Sequence, residues 1–405
     1  MTDASDTLFD HQGGTAAPWY EGWDLTEEKR EFFRQTSLRS REAKLRALSA
    51  DPVDAEALHR PRLDPSDLMP RVSPHLLPAL SLFSGGGGLD LGFERAGYRH
   101  VASFDTLEPA GETLRTNRPD WTVNSGEAGD VRRIDWHRYR GELAVIHGGP
   151  PCQPFSVAGR QRGSEDARNM LPEFARAVEE AEPLAFVCEN VPALAGPKFA
   201  SYLRETLFEP LSRSYRVTMF KLSAHDYGVP QLRHRVFFVG FRRSQDAARF
   251  APPDPTHRAD HLARGPQAAA TANPLQPTMG AREALGLPKT SVDALAPTLR
   301  STLTGPRHTT SILSSVSAQR TWEMLGLWPN GVARSRAAAS RFPTDNGHVR
   351  LAVADCAVLQ GFPSWWRFEG AVYMSLGQIG NSVSPPVAYR VALAVAQALD
   401  YTSGG

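Results

Sequence analysis

Apolar positions along the chain change period repeatedly, and each change marks an element. Ala79-Leu80-Ser81-Leu82-Phe83 is a short apolar run of the kind a buried strand makes, and it stops at Ser84-Gly85-Gly86-Gly87-Gly88. Leu89 to Ala96 reads as a helix ended by Gly97. The same grammar repeats with a strand over His100–Phe104, a helix from about Glu108 to Asn117, and a short strand Thr122–Asn124 followed by Gly129-Asp130-Val131. Next come a strand Leu143–Ile146, a helix Leu171–Glu180 and a strand Leu184–Cys188. A helix of about Phe199–Leu211 and strands Tyr215–Leu222 and Arg235–Phe241 complete the run. Alternating strands and helices, with glycine turns at strand ends, predict an α/β fold built on a doubly wound, mainly parallel sheet.

The flanks obey other rules. Residues 1–75 form a charged, irregular appendage, with one or two helices expected between Leu25 and Leu48 before Pro52 and the proline-rich stretch Pro61–Pro70. After Arg243 the periodicity stops. Residues 244–345, rich in Pro, Gly, Ala, Thr and Arg, predict a small domain of loops and short strands. Regular structure resumes with a helix over Ala352–Gln360 and ends in an apolar helix, Val387–Leu399, after Pro385-Pro386. The expected division is an appendage over 1–75, an α/β domain over 76–243, the loop-rich domain over 244–345, and a segment 346–405 returning to the α/β body.

Composition narrows the classes. The 405 residues are 41% hydrophobic, ample for a core, yet no apolar run approaches the ~18 residues of a membrane span. Met1-Thr2-Asp3-Ala4-Ser5-Asp6 lacks a signal-peptide pattern. Three scattered cysteines without a CxxC fit a reducing, cytoplasmic compartment and argue against disulfides or a zinc site, so no metal is expected. The net charge of +1 is uninformative, but its distribution is not. Fourteen Lys and Arg face seven Asp and Glu between Phe241 and Arg350, which leaves the remainder acidic. That asymmetry suits a polyanion-binding module, and equally an arginine-rich surface from a biased genome.

The candidate chemistry sits at strand ends, where open α/β sheets bind their ligands. Leu143–Ile146 runs through His147 into Gly148-Gly149-Pro150-Pro151, which no strand or helix continues through, and Cys152 follows at once. Most lone cysteines are small buried hydrophobes, and Cys152 alone does not escape that reading. The glycine turn lets the backbone approach a ligand closely, and no Lys-Ser/Thr follows to make it a P-loop. Asp105, ending the next strand, stands where ribose hydroxyls are held, and Asp130 could accept from an adenine amine, so a nucleoside cofactor is expected. Glu189 ends the fifth strand on the same edge as Cys152, where burial would raise its pKa and let it donate a proton. Strand alternation places Gln231, Arg233 and Arg235 together, aimed at a carbonyl-bearing or anionic substrate; a charged edge strand is the plain alternative.

Taken together, these residues resemble the DNA (cytosine-5)-methyltransferase family, in its bacterial, restriction–modification type. The resemblance rests on Phe83-Ser84-Gly85-x-Gly87-Gly88, Pro150-Pro151-Cys152-Gln153, Glu189-Asn190-Val191, Gln231-x-Arg233-x-Arg235 and Gly380-Asn381-Ser382-Val383 in that order. Arg350-Leu351 with Leu359-Gln360-Gly361-Phe362-Pro363 adds a further block. It covers about residues 78–243 and 347–399. The resemblance implies a Rossmann-like fold and transfer of a methyl group from S-adenosylmethionine to C5 of a flipped-out cytosine in a specific duplex DNA sequence, leaving S-adenosylhomocysteine. Cys152 would attack C6. Glu189 would hold N3 and the exocyclic amine. Arg235, supported by Arg233, would contact the base carbonyl. Phe83, Ser84, Gly85, Gly87, Leu89, Asp105, Thr106, Asp130, Val131, Pro150 and Leu171 would line the cofactor, and Asn381, Ser382 and Val383 would close beside them.

The basic segment occupies the family's target-recognition position. The stretch Thr302–Ser311, with Arg307, His308 and Thr309, is the candidate for DNA contact, since arginine reads guanine best. Trp322 and Trp328 are expected in the small domain's core, ahead of Arg334 and Arg336. Gln231 and the Gly-hinged loop with Ser156, Arg160 and Arg162 are further DNA candidates. A monomer is expected, with a cognate restriction endonuclease as genetic partner and the nucleoid as its place of work. Two departures stand out: the family often has Glu where Asp105 stands and an aromatic where Thr106 stands. The four consecutive glycines are one more than cofactor contact needs. A tRNA cytosine-5 methyltransferase or a catalytically inactive DNA-binding relative would keep much of the same pattern.

Overall fold

The computed structural model describes residues 59–151, 169–264, 275–300, 310–341, 344 and 347–400, with Glu27, Glu31, Arg34, Gln35 and Leu38. The chain divides into Met1–Pro52 and Val53–Gly405. In the first unit the five described residues are helical, inside the stretch expected to be so, and Gln35 Nε2 donates to Glu31 Oε1 at 2.7 Å one turn away.

The second unit is built on one seven-stranded sheet. Its strands are β1 (Pro78–Leu82), β2 (Arg99–Asp105), β3 (Val123–Ser125), β4 (Val145–Gly148), β5 (Ala185–Asn190), β6 (Arg216–Ser223) and β8 (His234–Phe241). The two-residue β7 (Gln231–Leu232) pairs instead with Ala296–Pro297. The order is β3-β2-β1-β4-β5-β8-β6. The first five strands run parallel, and β8 lies antiparallel between β5 and β6. Every residue of β4 and β5 is buried, because helices cover both faces of a parallel sheet and its central strands must be apolar throughout. Along β5, Ala185 and Val187 enter one core while Phe186 and Cys188 enter the other, so the sheet separates two apolar layers.

The helices that matter for the site are α1 (Gly88–Arg95), α2 (Glu108–Asn117), α3 (Leu171–Ala181), α4 (Val353–Gln360), α5 (Val372–Asn381) and α6 (Pro385–Ala398). The expected helix near 199–211 is present as Ala200–Leu203 and Glu209–Leu211 joined by a π turn, Arg204–Phe208. Pro210 has no N–H to return to the carbonyl of Thr206, which favours the wider turn. The expected strand residues Gly129-Asp130-Val131 are instead two 3-10 turns, Gly126–Gly129 and Val131–Arg133.

The expected boundary at residue 75 falls inside the body. Between residues 59 and 75, Arg62 and Leu63 donate their N–H groups to Ala284 O, and the carbonyls of Ser66 and Met69 accept from Arg95. Ala281, Leu299, Trp322 and Leu327, from the segment expected to be separate, share one apolar core with Val387 and Val391 of α6. The change at residue 244 is thus from sheet to loops without a break in the core. Trp322 is fully buried, as expected. No described helix is long and apolar enough to cross a membrane.

Helix α1 carries an acid into the core. Asp90 of α1 is 2% exposed, its Oδ1 accepts from Ser103 Oγ at 3.0 Å, and burial pushes its pKa up to about 6 against the Ser81 and Ser103 hydrogen bonds. A folded pKa above the unfolded one gives stability below the unfolded pKa that is lost as pH rises through 6. Asp90→Asn removes this dependence. Its stability relative to the parent should improve by about 2 kcal/mol between pH 4 and pH 7, measured by denaturant melts at both.

Candidate active site

The strand order reverses between β1 and β4, and outside the carboxyl ends of the strands there lies a cavity of about 480 Å³. Beyond β1 it is lined by Phe83, Ser84 and Gly85, and at the start of α1 by Gly88 and Leu89. Beyond β2 come Asp105 and Thr106, and beyond β3 Asp130 and Val131. The other wall holds Pro150 and Pro151 after β4, Glu189 of β5 and Arg235 of β8, with Asn381, Ser382 and Val383 at the end of α5 closing the side. The order of motifs in the sequence thus becomes one ring of residues.

The turn after β1 is built for close approach. Phe83 and Gly85 have φ of 55° and 53°, the left-handed region that a bulky residue enters only at a cost. A Cβ added to Gly85 would have only the Phe83 carbonyl near it, at 3.9 Å, so the backbone there faces open cavity. A Cβ on Gly88 would sit 2.1 Å from Val383 O, and one on Gly86 2.9 Å from Ser382 Oγ. The closing segment therefore lies directly on the turn. Gly87, expected in the cofactor wall, faces the core instead, since a Cβ there would meet Leu114 and Trp366, both at 2.7 Å. None of the four glycines is spare.

Asp105 is held by two amides: Oδ2 accepts from Gly85 N and Oδ1 from Leu107 N, each at 2.8 Å. Burial raises its pKa against those bonds. A carboxylate has about four lone-pair sites, so two remain for a diol. Asp130 accepts from the Arg132 backbone N–H at 3.1 Å and from its guanidinium, with Nη2 to Oδ2 at 2.7 Å, and this contact holds its pKa below the usual range.

On the other wall Glu189, 5% exposed, pairs with Arg235, Nε to Oε1 at 2.7 Å. Burial raises the Glu189 pKa, while Arg235 and Arg233 oppose the rise. The result is a carboxyl able to hold a proton at the cavity surface, with a guanidinium beside it as a carbonyl partner.

Three further expected placements are corrected. Arg233 is 1% exposed and donates through Nη2 to Gly380 O at 2.9 Å and Ser382 O at 2.6 Å, so it holds the closing segment rather than the substrate. Gln231 is fully buried, donating to Leu359 O at 3.0 Å and Gln360 Oε1 at 2.8 Å, which puts it out of reach of DNA. Leu171 begins α3 with its side chain in the apolar core, and its neighbour Met170 lines the cavity instead. Arg132 and Gln378 also line it. Their signal in the sequence is position alone, two residues past a strand-end acid and just before Gly380-Asn381. Cys152, Ser156, Arg160, Arg162, Arg307, His308 and Thr309 lie outside the described residues. Arg334 reaches Ser375 and Gly370 O, and Arg336 pairs with Asp355, so both bind the C-terminal segment.

Comparison with known proteins agrees with this arrangement. The model of the C-5 cytosine-specific DNA methylase family matches residues 77–397. The Type II methyltransferase M.NgoMIV of Neisseria gonorrhoeae is 36% identical over 79% of this chain and 97% of its own length. M.NaeI of Lentzea aerocolonigenes is 31% identical over 81% and 77%. A crystal structure described as a candidate DNA modification methyltransferase from an E. coli prophage superposes with a TM-score of 0.52 at 25% identity, covering 80% of this chain and 99% of its own. The ring of strand-end residues and the family match lead to one conclusion: the chain belongs to the C-5 cytosine-specific DNA methylase family and is a DNA cytosine-5 methyltransferase.

Proposed function

We propose that the two walls of the cavity hold S-adenosylmethionine and a flipped cytosine side by side, and that the enzyme modifies one specific duplex sequence in a restriction–modification system. The observation that carries this is the continuity of the cavity from the glycine turn and Asp105 to the Glu189–Arg235 pair. The residues present suit the cofactor: Gly85 leaves backbone open to the cavity, and the Asp105 carboxylate is fixed with acceptor capacity to spare. Asp130 and Thr106 would flank the adenine, with Val131 and Leu89 as apolar cover. Bound S-adenosylmethionine supplies an electrophilic methyl group on its sulfonium.

The chain's residues prepare the cytosine. C5 is a poor nucleophile until the Cys152 thiolate adds to C6. Glu189 holds a proton at N3, so the electron pair displaced by that addition is not stranded as charge on the ring. Arg235 donates toward the base carbonyl and keeps the Glu189 carboxyl oriented. Extruding the base costs a few kcal/mol, which contacts from Ser156, Arg160 and Arg162 to the DNA would offset. Arg307, His308 and Thr309 would read or anchor the target. The protein would act as a monomer in the cytoplasm at the nucleoid, with a restriction endonuclease as its genetic counterpart.

Incubation with tritium-labelled S-adenosylmethionine tests this reading. Label is expected in unmethylated duplex DNA and not in tRNA. Label in tRNA alone would favour an RNA substrate, and label in neither an inactive DNA-binding relative.

A further inference from the structure

Behind the cavity wall lies a buried polar network. Gln231, Arg233, Gln360 and Ser384 are each no more than 1% exposed. Gln360 Nε2 donates to Ser382 O at 2.7 Å, and the same carbonyl accepts from Arg233 Nη2 at 2.6 Å. Gln360 Oε1 accepts from Gln231 Nε2 at 2.8 Å, and the Gln360 carbonyl accepts from Ser384 Oγ. Gln360 thus joins the β7 strand to the closing segment that carries Ser382 and Val383.

Each end of this network leads to a different wall. Arg233 lies two residues before Arg235, which pairs with Glu189 on the base side. Ser382 and Val383 line the cofactor side and rest on Gly86 and Gly88 with no room for a methyl group. A displacement of the β7–β8 entry therefore cannot be absorbed at Ser382, since the carbonyl is held by two donors and the segment has no slack against the glycine turn. Buried, mutually polarised hydrogen bonds of this kind are stiff and have few alternative arrangements.

We propose that Gln360 is a positioning residue that couples the two walls, so that a base engaged by Glu189 and Arg235 tightens the closing segment on the cofactor. This rests on the proposed placement of base and cofactor on opposite walls. Coupling between two sites is reciprocal and is measured as a ratio of affinities. Gln360→Met keeps the side-chain length and removes both polar atoms. Gln231 retains its bond to Leu359 O and Ser382 O retains Arg233, so each keeps one partner, while one Gln231 N–H loses its acceptor and melting curves accompany the binding measurements.

The test measures the Kd of S-adenosylhomocysteine by calorimetry, with and without saturating unmethylated phage DNA, for the full chain and for Gln360→Met and Gln360→Glu. The parent should bind about fivefold or more tightly with DNA present. In Gln360→Met that ratio should fall to within about twofold of one, with the DNA-free Kd changed less than about threefold. Gln360→Glu, which keeps the acceptor for Gln231 and loses the donor to Ser382, should lose the ratio equally. An unchanged ratio in the variants, or no ratio in the parent, overturns the proposal. A shift confined to the DNA-free Kd and the melting temperature also overturns it, as the mark of a merely structural role. Methylation of the same DNA is assayed alongside, and its absence in the parent would overturn the underlying placement as well.

Discussion

Cys152→Ser is expected to lower methyl transfer by at least about 10⁴-fold and to abolish covalent trapping on a duplex containing 5-fluorocytosine. Serine keeps the shape of the side chain but not an ionisable sulfur, and only a thiolate adds readily to C6 at neutral pH. Once Cys152 has added to C6 and the methyl group has passed to C5, the fluorine there leaves no C5 proton to remove and the thiol cannot be eliminated, so with S-adenosylmethionine present the parent should accumulate as a denaturation-resistant protein–DNA band. The other two cysteines do not compete for the role. Cys188 and Cys356 are fully buried, and burial pushes both thiols well up, away from reactivity. Cys188→Ala and Cys356→Ala should therefore leave trapping intact. Trapping by Cys152→Ser would remove the nucleophile from the mechanism.

The second large effect is expected at Glu189. Glu189→Gln preserves the volume at the cavity surface yet cannot hold a transferable proton, and kcat should fall by about 10²- to 10⁴-fold. The Kd for S-adenosylhomocysteine should stay within a few-fold, since Asp105 and the glycine turn lie on the other wall. Arg235 loses its charged partner in a buried pair, so some loss of stability accompanies the change and melting curves belong beside the kinetics. In the parent, burial raises the Glu189 pKa and extends the protonated form to higher pH than a free carboxyl would allow. Activity should therefore fall as pH rises through that pKa, and this limb should be absent from the residual activity of the variant. A full-strength Glu189→Gln enzyme would show that proton holding at N3 is supplied elsewhere.

Much of this architecture is legible in the chain because parallel strands buried on both faces must be short apolar runs, as at Val145–Gly148 and Ala185–Asn190. Asp105 and Glu189, at the ends of such runs, then fall on one edge without further information. Local periodicity fails where it has to decide orientation. Alternation places Gln231, Arg233 and Arg235 on one strand face, but the chain passes from β7 to β8 at Arg233, and the first two side chains turn into the core. Gly87 and Leu171 each sit beside a cavity residue, Gly88 and Met170, and only tertiary packing distinguishes neighbours of that kind. The four glycines look redundant in sequence because their partners, Ser382, Val383 and Trp366, come from the far end of the chain. The shared core of the loop-rich segment and the body is equally invisible, since irregular segments carry no period to follow.

The most direct measurement is bisulfite sequencing of DNA from a methylation-free host expressing the full chain. The account predicts 5-methylcytosine at one fixed position of one recurring duplex sequence, and none when Cys152→Ser is expressed at the same level. DNA converted throughout in both, or protected equally in both, would contradict it.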